Sequence, residues 1–360
     1  MTSSRNALDH IANIVLPDDA LLRDPHLPFT VSTTVLGLPV QFLSNSRDVR
    51  DTFTNAFGAS PHAEDAPSTA LRVQVVVYPD GSESAAPRHI RHICPDASRV
   101  LMHCADGMAI SDPLRREALV YASEALVRDP TLFRHEMLEA AVLALVTHFD
   151  RQPFHAAAIS HDDRTVLLVG RSGAGKSTLT YLAQSTGITA LSEDTVWIQL
   201  EPRLRVWSRL RGIHLLPEAT AHFPELHDTR VARRPNDKLK ATVPASQADA
   251  SSVDGGSVTV CLLDPGGSAA HLTPLDAEAM RAALARDVDS GFDRYLERRA
   301  ECVRVLTERG GWRLTLSSDP RDALPLLREL LGADLSEQRG SAPQADLTRR
   351  LTDDRPPGAA

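Results

Sequence analysis

The sequence predicts an α/β protein whose second half carries a strand, a glycine-rich turn and a helix in succession, preceded by an α+β unit. Three observations support this. Thr165 to Val169 is a continuous apolar run of strand length that feeds directly into Gly170-Arg171-Ser172-Gly173-Ala174-Gly175. Leu71 to Tyr78 is a strand rich in β-branched residues, ended by Pro79-Asp80-Gly81. Between them, Leu132, Phe133, Leu138, Ala141, Val142, Leu145 and Phe149 recur at helical intervals, the mark of a helix with one buried stripe.

Residues 1–28 form a polar N-terminal segment, and Phe29 to Leu43 reads as two short strands broken at Gly37-Leu38-Pro39. Another strand pair is expected between Val100 and Ile110. The helix over 130–149 completes an α+β unit at 29–150, and Arg151-Gln152-Pro153 marks the passage to a second unit at 151–333. There the helix opened by Lys176 runs to about Ser185 and stops at Gly187. Ile188 to Ser192 is a second buried strand, and Val196 to Leu200 and Leu204 to Trp207 flank Glu201-Pro202-Arg203 as a hairpin. Pro244 to Ser257, rich in Ala, Ser, Asp and Gly, reads as a loop. Val258 to Leu263 is a strand, Asp276 to Ala285 and Phe292 to Leu306 are helical, Trp312 to Leu316 is extended, and Pro320 to Leu331 is a final helix. Residues 334–360 have the composition of a disordered tail.

With 42% hydrophobic and 24% charged residues, the 360-residue chain has the balance of a soluble globular protein. A net charge of -8 supplies no broad positive field, so nucleic acid is not an expected partner, although Arg203 to Arg211 is locally basic. No apolar run reaches the ~20 residues of a membrane span, and the N-terminus lacks the pattern of an export signal. The four cysteines stand far apart and read as reduced thiols, so a cytoplasmic location is expected. His89, His92, Cys94, His103 and Cys104 are spaced too irregularly for a metal site and read as strand residues.

Gly170 to Ser177 matches the Walker A spacing at every required position, in the strand–turn–helix context that such a P-loop needs. Glycines let Gly170, Arg171, Ser172, Gly173, Ala174 and Gly175 turn their N–H groups toward phosphate oxygens, and the following helix adds its positive end. Lys176 then reaches the outer phosphates of a triphosphate, Ser177 offers a hydroxyl to magnesium, and Thr178 continues the phosphate-binding turn. Asn236-Asp237-Lys238 lacks the order of guanine-specific motifs, so ATP is the expected nucleotide.

Glu193-Asp194 ends the strand after the P-loop helix, where the carboxyl edge of an α/β sheet faces the same crevice. A carboxylate there can bind magnesium or accept a proton from an attacking hydroxyl. The plainer reading is a solvated strand end. His155 precedes the apolar Ala156 to Ile159; if that run is a strand beside the P-loop strand, the imidazole lies near the γ-phosphate, and otherwise it is a structural histidine. Lys238 and Lys240 are either phosphate-neutralising or ordinary solvated lysines.

Together the P-loop, His155 and the Glu193-Asp194 pair resemble the catalytic domain of HPr kinase/phosphorylase and its relatives, which share a phosphoenolpyruvate carboxykinase-like P-loop fold. Leu210-Arg211-Gly212-Ile213 looks like that family's short Arg-Gly signature, and the likeness covers roughly half of the chain. The resemblance implies that Asp194 is the base for a serine hydroxyl and His155 a neighbour of the reacting phosphate. The sequence departs from the family at Glu193, where an aspartate stands, and at Arg209, in the place of a metal-binding glutamate. Ser177, Glu193 and Asp194 are then left to hold magnesium, which weighs against reverse phosphorolysis more than against ATP binding. The N-terminal region is similar to HPr kinase-like proteins and not to the N-terminal domain of true HPr kinases. Some relatives phosphorylate a serine of peptide natural-product precursors.

The resulting expectation is an ATP- and magnesium-dependent kinase acting on a hydroxyl of a protein, peptide or small molecule, and a homo-oligomer is compatible with it. Its rivals are a nucleotide-binding regulatory or scaffold protein without transfer and an NTP hydrolase switch that uses water.

Overall fold

The computed structural model describes residues 25–59, 70–79, 89–96, 98–227, 229–233, 239–245, 252–254, 257–286 and 295–332. Strands β1 (Phe29–Val35), β2 (Leu38–Ser44), β3 (Leu71–Tyr78), β4 (Arg91–Ile93), β5 (Val100–Cys104), β6 (Gly107–Asp112) and β7 (Glu117–Ser123) form one mixed sheet in the order β1-β2-β3-β7-β6-β5-β4. The first hairpin turns through Leu36 and Gly37, both in the left-handed region at φ 48° and 77°, with Val35 opposite Leu38. This is the two-residue turn whose twist suits antiparallel strands. Trp207, far along the chain, lies over it so closely that a Cβ on Gly37 would sit 2.1 Å from the indole.

Helix α1 (Arg47–Phe57), absent from the sequence expectations, packs on this sheet through Val49, Phe53 and Ala56, with Phe53 stacked on Phe42 at 4.2 Å. Ser46 caps it by accepting from Val49 N–H. Helix α2 (Glu124–Val127) is a single turn. The expected helix near 130–149 is present, but its first part, Leu132–Glu139, is a wider π-helical stretch that passes into α3 (Ala140–Thr147). Phe133, Met137, Leu138, Ala141, Val142 and Leu145 close the core against the sheet, and Trp197 and Trp207 join that core from the second half of the chain.

The second sheet is mixed as well, in the order β16-β12-β11-β8-β9-β17-β19-β18. It comprises β8 (Gln152–His161), β9 (Arg164–Val169), β11 (Thr195–Gln199), β12 (Arg205–Trp207), β16 (Ser252–Asp254), β17 (Val258–Pro265), β18 (His271–Leu275) and β19 (Gly311–Leu316), with β10 (Thr189–Ser192) paired to β8. β17 pairs in parallel with both β9 and β19, whereas β8 is antiparallel to β9, so the strand expected at Ala156 to Ile159 lies directly beside the one leading to the glycine loop. Helix α4 (Lys176–Ser185) covers one face together with the C-terminal helix Leu324–Leu331; helices Ala277–Arg286 and Leu296–Leu306 cover the other. A separate three-stranded sheet, β13 (Gly212–Leu215), β15 (Leu239–Pro244) and β14 (Val231–Arg233), stands beside α4.

The segment Pro244 to Ser257, expected to be a loop, contributes β16, whose partner β12 lies far off in sequence. Pairing with a distant edge, not local pattern, makes those residues a strand. The tail at 334–360 and the segment 1–24 lie outside the described residues. Among the described residues no helix is long and apolar enough to cross a membrane.

Candidate active site

The loop between β9 and α4 folds back on itself, with Ala174 N–H donating to Arg171 C=O at 3.0 Å. Gly173 and Gly175 take φ of 87° and 101°, values that a side chain would strain. Gly175 is also the residue from which α4 starts, so the helix's first turn, with its N–H groups, opens onto a cleft of about 540 Å³. Residues 172–179 line that cleft. Lys176 is 6% exposed, and its ammonium donates to the carbonyls of Gly170 (2.6 Å) and Arg171 (3.3 Å). A buried cation beside helix N–H groups has the charge and donors that suit an anion.

The same cleft is lined by an imidazole–carboxylate pair. His155 on β8 lies opposite Thr195 of β11, which brings its Nε2 to 3.1 Å from Asp194 Oδ1 in the turn between β10 and β11. The hydrogen bond from His155 holds the Asp194 carboxyl below the usual carboxylate range; burial opposes this, and the charges of His155, Lys176 and Lys240 add to the lowering. Lys240, on β15, lines the same cleft. Lys238 lies outside the described residues.

Glu193 behaves differently from its neighbour. Its Oε2 accepts from the His214 backbone N–H at 2.6 Å and its Oε1 pairs with the His214 ring, so the carboxylate is 12% exposed and fastens β13. It is not among the residues lining the cleft. The cleft therefore brings together His155, Lys176, Ser177, Thr178 and Asp194, and leaves Glu193 behind it.

Arg209 also points elsewhere. It donates to Ala56 C=O at 2.9 Å, lies 4.3 Å from the Phe57 ring centre and 3.8 Å from Glu139, and burial pulls its pKa down to about 10. Arg211 reaches Asn55 C=O in the same region. The Arg-Gly segment thus anchors the first sheet's helices with its arginines and starts β13 at Gly212.

Sequence reasoning missed His214, Glu218, His222, Ser317 and Ser318, which line the cleft from distant parts of the chain. It also missed Asp264, which ends the apolar run of β17 beside the glycine loop; an apolar parallel strand ending in an acid was a readable signal. Asp264 belongs to a second, larger cleft of about 1130 Å³ that shares Ser172, Gly173 and Ala174 of the loop with the first, and is lined also by Phe154, Arg171, Leu262, Arg299 and Arg313. His155 lines both clefts. Among the described residues no three His, Cys, Asp or Glu side chains converge as a metal site. Ser177 and Asp194 supply hard oxygen donors to the first cleft, the ligand type that magnesium prefers.

Chemically, the loop and Lys176 are suited to an anion, and the pair in the same cleft can take a proton from a hydroxyl. No protein-family model matches this chain, and no curated protein matches it. Among solved structures the chain is similar to the Hpr(Ser) kinase/phosphatase from Coxiella burnetii, at 13% identity and a TM-score of 0.23, over 51% of this chain and 94% of that one. So low a TM-score says nothing about activity, and the functional reading rests on the residues themselves.

Proposed function

We propose that this chain is an HPr kinase-like phosphotransferase that moves the γ-phosphoryl group of ATP to a hydroxyl of a protein, peptide or small molecule. One observation carries the reading: Lys176 and the first turn of α4 share a single cleft with the His155–Asp194 pair. In this reading Gly170 to Thr178 are a P-loop. Their N–H groups and Lys176 bind the phosphate tail, and the ammonium exchanges its bonds to the loop carbonyls for phosphate oxygens.

Asp194 accepts the proton of the incoming hydroxyl. His155 holds that carboxylate in place and, by keeping it ionised, ready to act. Lys240 offsets charge that builds on the transferred group. Magnesium, held by Ser177, Asp194, phosphate and water, would neutralise the phosphates. Glu193 is given a structural role on β13, because its oxygens are taken by His214. The acceptor is assigned to the second cleft, which shares His155 with the first.

Incubation with γ-labelled ATP, magnesium and candidate acceptors tests this. Transfer to a serine-bearing acceptor, lost in Asp194→Asn, is the expected result. Tight ATP binding with neither transfer nor hydrolysis would instead favour a nucleotide-binding regulator, and acceptor-independent phosphate release would favour a hydrolase.

A further inference from the structure

The second cleft carries a charge to which the phosphate-binding reading gives no role. Among the described residues three arginines, Arg171, Arg299 and Arg313, line it together with one carboxylate, Asp264. None of the three arginines lines the first cleft. We infer that the second cleft receives an acidic peptide: the acceptor hydroxyl stands in a segment whose carboxylate side chains are bound by Arg313 and Arg299. The inference rests on the phosphotransfer reading above and names the class of acceptor.

Strand register gathers these charges. Val169 of β9 pairs with Leu262 of β17, and Leu262 with Arg313 of β19, so the three side chains stand in one row on one face of the sheet. Arg171 and Asp264 follow Val169 and Leu262 by two residues each, in the glycine loop and near the end of β17. Arg299 comes from helix Leu296–Leu306, which covers this face. It is 8% exposed, with its guanidinium 4.7 Å from the Phe154 ring centre and donating to Leu284 C=O at 3.3 Å. A guanidinium keeps its charge when buried, and there the charge acts on a ligand more strongly than it would in water. Arg171 and Arg313 are exposed, and among the described residues neither has a carboxylate within ion-pair distance, Asp264 included.

Size favours a chain segment over a small acid. About 1130 Å³ exceeds the roughly 300–1,000 Å³ of pockets that enclose one small molecule. The planar fork of an arginine also matches a carboxylate with two parallel N–H donors. Because the two clefts share His155 and the loop residues Ser172, Gly173 and Ala174, a serine on a segment lying in the second can reach a phosphate bound in the first. The serine oxygen then bonds to the γ-phosphorus as the bond from that phosphorus to the β,γ-bridging oxygen breaks. The electron pair of the broken bond leaves with ADP, the hydroxyl proton passes to Asp194, and the carboxylates of the segment are unchanged.

The test uses γ-labelled ATP, magnesium and serine peptides flanked by glutamate, glutamine or lysine, with free L-serine as a small acceptor. Glutamate peptides should be labelled at least about tenfold faster than glutamine peptides, the scale of one charge-assisted contact. In Arg313→Gln that ratio should fall to within about twofold, and in Arg313→Glu the preference should pass to the lysine peptides, a reversal that damage to the fold cannot produce. Calorimetry should find magnesium-ATP affinity within about twofold of wild type in both variants, since Arg313 does not line the first cleft, and so certifies that they are folded. Labelling indifferent to flanking charge, a glutamate preference that survives Arg313→Glu, or transfer to free serine and to no peptide would overturn the inference and leave the kinase reading standing. ATP binding without transfer to any acceptor would overturn the kinase reading on which it rests.

Discussion

Glu139 is the point at which the first sheet's helices are fastened to the segment that leads to β13, and replacing it by glutamine gives a quantitative test. The carboxylate is 14% exposed and lies 2.7 Å from Arg134, 3.7 Å from His135 and 3.8 Å from Arg209. Burial raises its pKa, but His135, Arg209 and Arg134 more than offset that, and it is held at about 2 against an ordinary 4.5. At about 1.4 kcal/mol per pH unit, the ionised group contributes roughly 3 kcal/mol above the ordinary carboxylate range. Because the folded pKa is the depressed one, that contribution fades as pH falls from about 4.5 toward 2. Glu139→Gln keeps the shape and removes the charge, leaving Arg209 buried without its counter-ion, so urea unfolding at pH 7 should show a loss of about 3 kcal/mol. At pH 3.5 the gap should narrow to about 2 kcal/mol. A loss under about 1 kcal/mol, or a gap that does not change with pH, would refute the electrostatic account.

Other outcomes follow from the cleft and the hairpin. Lys176→Ala should weaken magnesium-ATP binding by at least about tenfold, measured by calorimetry, since a desolvated ammonium is lost from the phosphate end. Asp194→Asn should lower kcat by roughly a hundredfold or more, a larger loss than any it causes in magnesium-ATP affinity, which steady-state kinetics and calorimetry together resolve. In His155→Ala the Asp194 carboxyl loses the hydrogen bond that lowers it, so the acid limb of the kcat profile should move to higher pH; an unmoved limb would contradict the pairing. Gly37→Val should lower the melting temperature, at a cost of roughly 2–3 kcal/mol, because the new Cβ meets Trp207 and the φ of 77° is unfavourable to a branched residue.

Much of the site's first half was readable because its signals are local. Thr165 to Val169, the glycines and Lys176 to Ser185 are contiguous in sequence, and the helix occupies the expected span. His155 and Asp194 were also legible, since strands β8 and β11 pair close to them. Glu193 was not, because its partner His214 is supplied by a strand that no local pattern announced. Arg209 is a similar case: its direction is set by Ala56, Phe57 and Glu139, more than 65 residues away in every instance by numbering alone (139 to 209 at the nearest). Helix α1 left a signal that went unread, with Ser46 as cap and Val49, Phe53 and Ala56 spaced along one face. β16 left none, being three residues held by an edge.

Glu193 and Asp194 are consecutive, yet they face separate duties, and the little sheet of β13, β14 and β15 makes that division matter. Through His214 it grips Glu193, and through Lys240 it reaches into the cleft. Any tilt of this three-stranded plate pulls on the peptide bond next to the proposed base while shifting a positive charge in the cleft. A molecule docking against the plate from outside would therefore adjust acid–base geometry and anion affinity in one stroke, without touching either reactant.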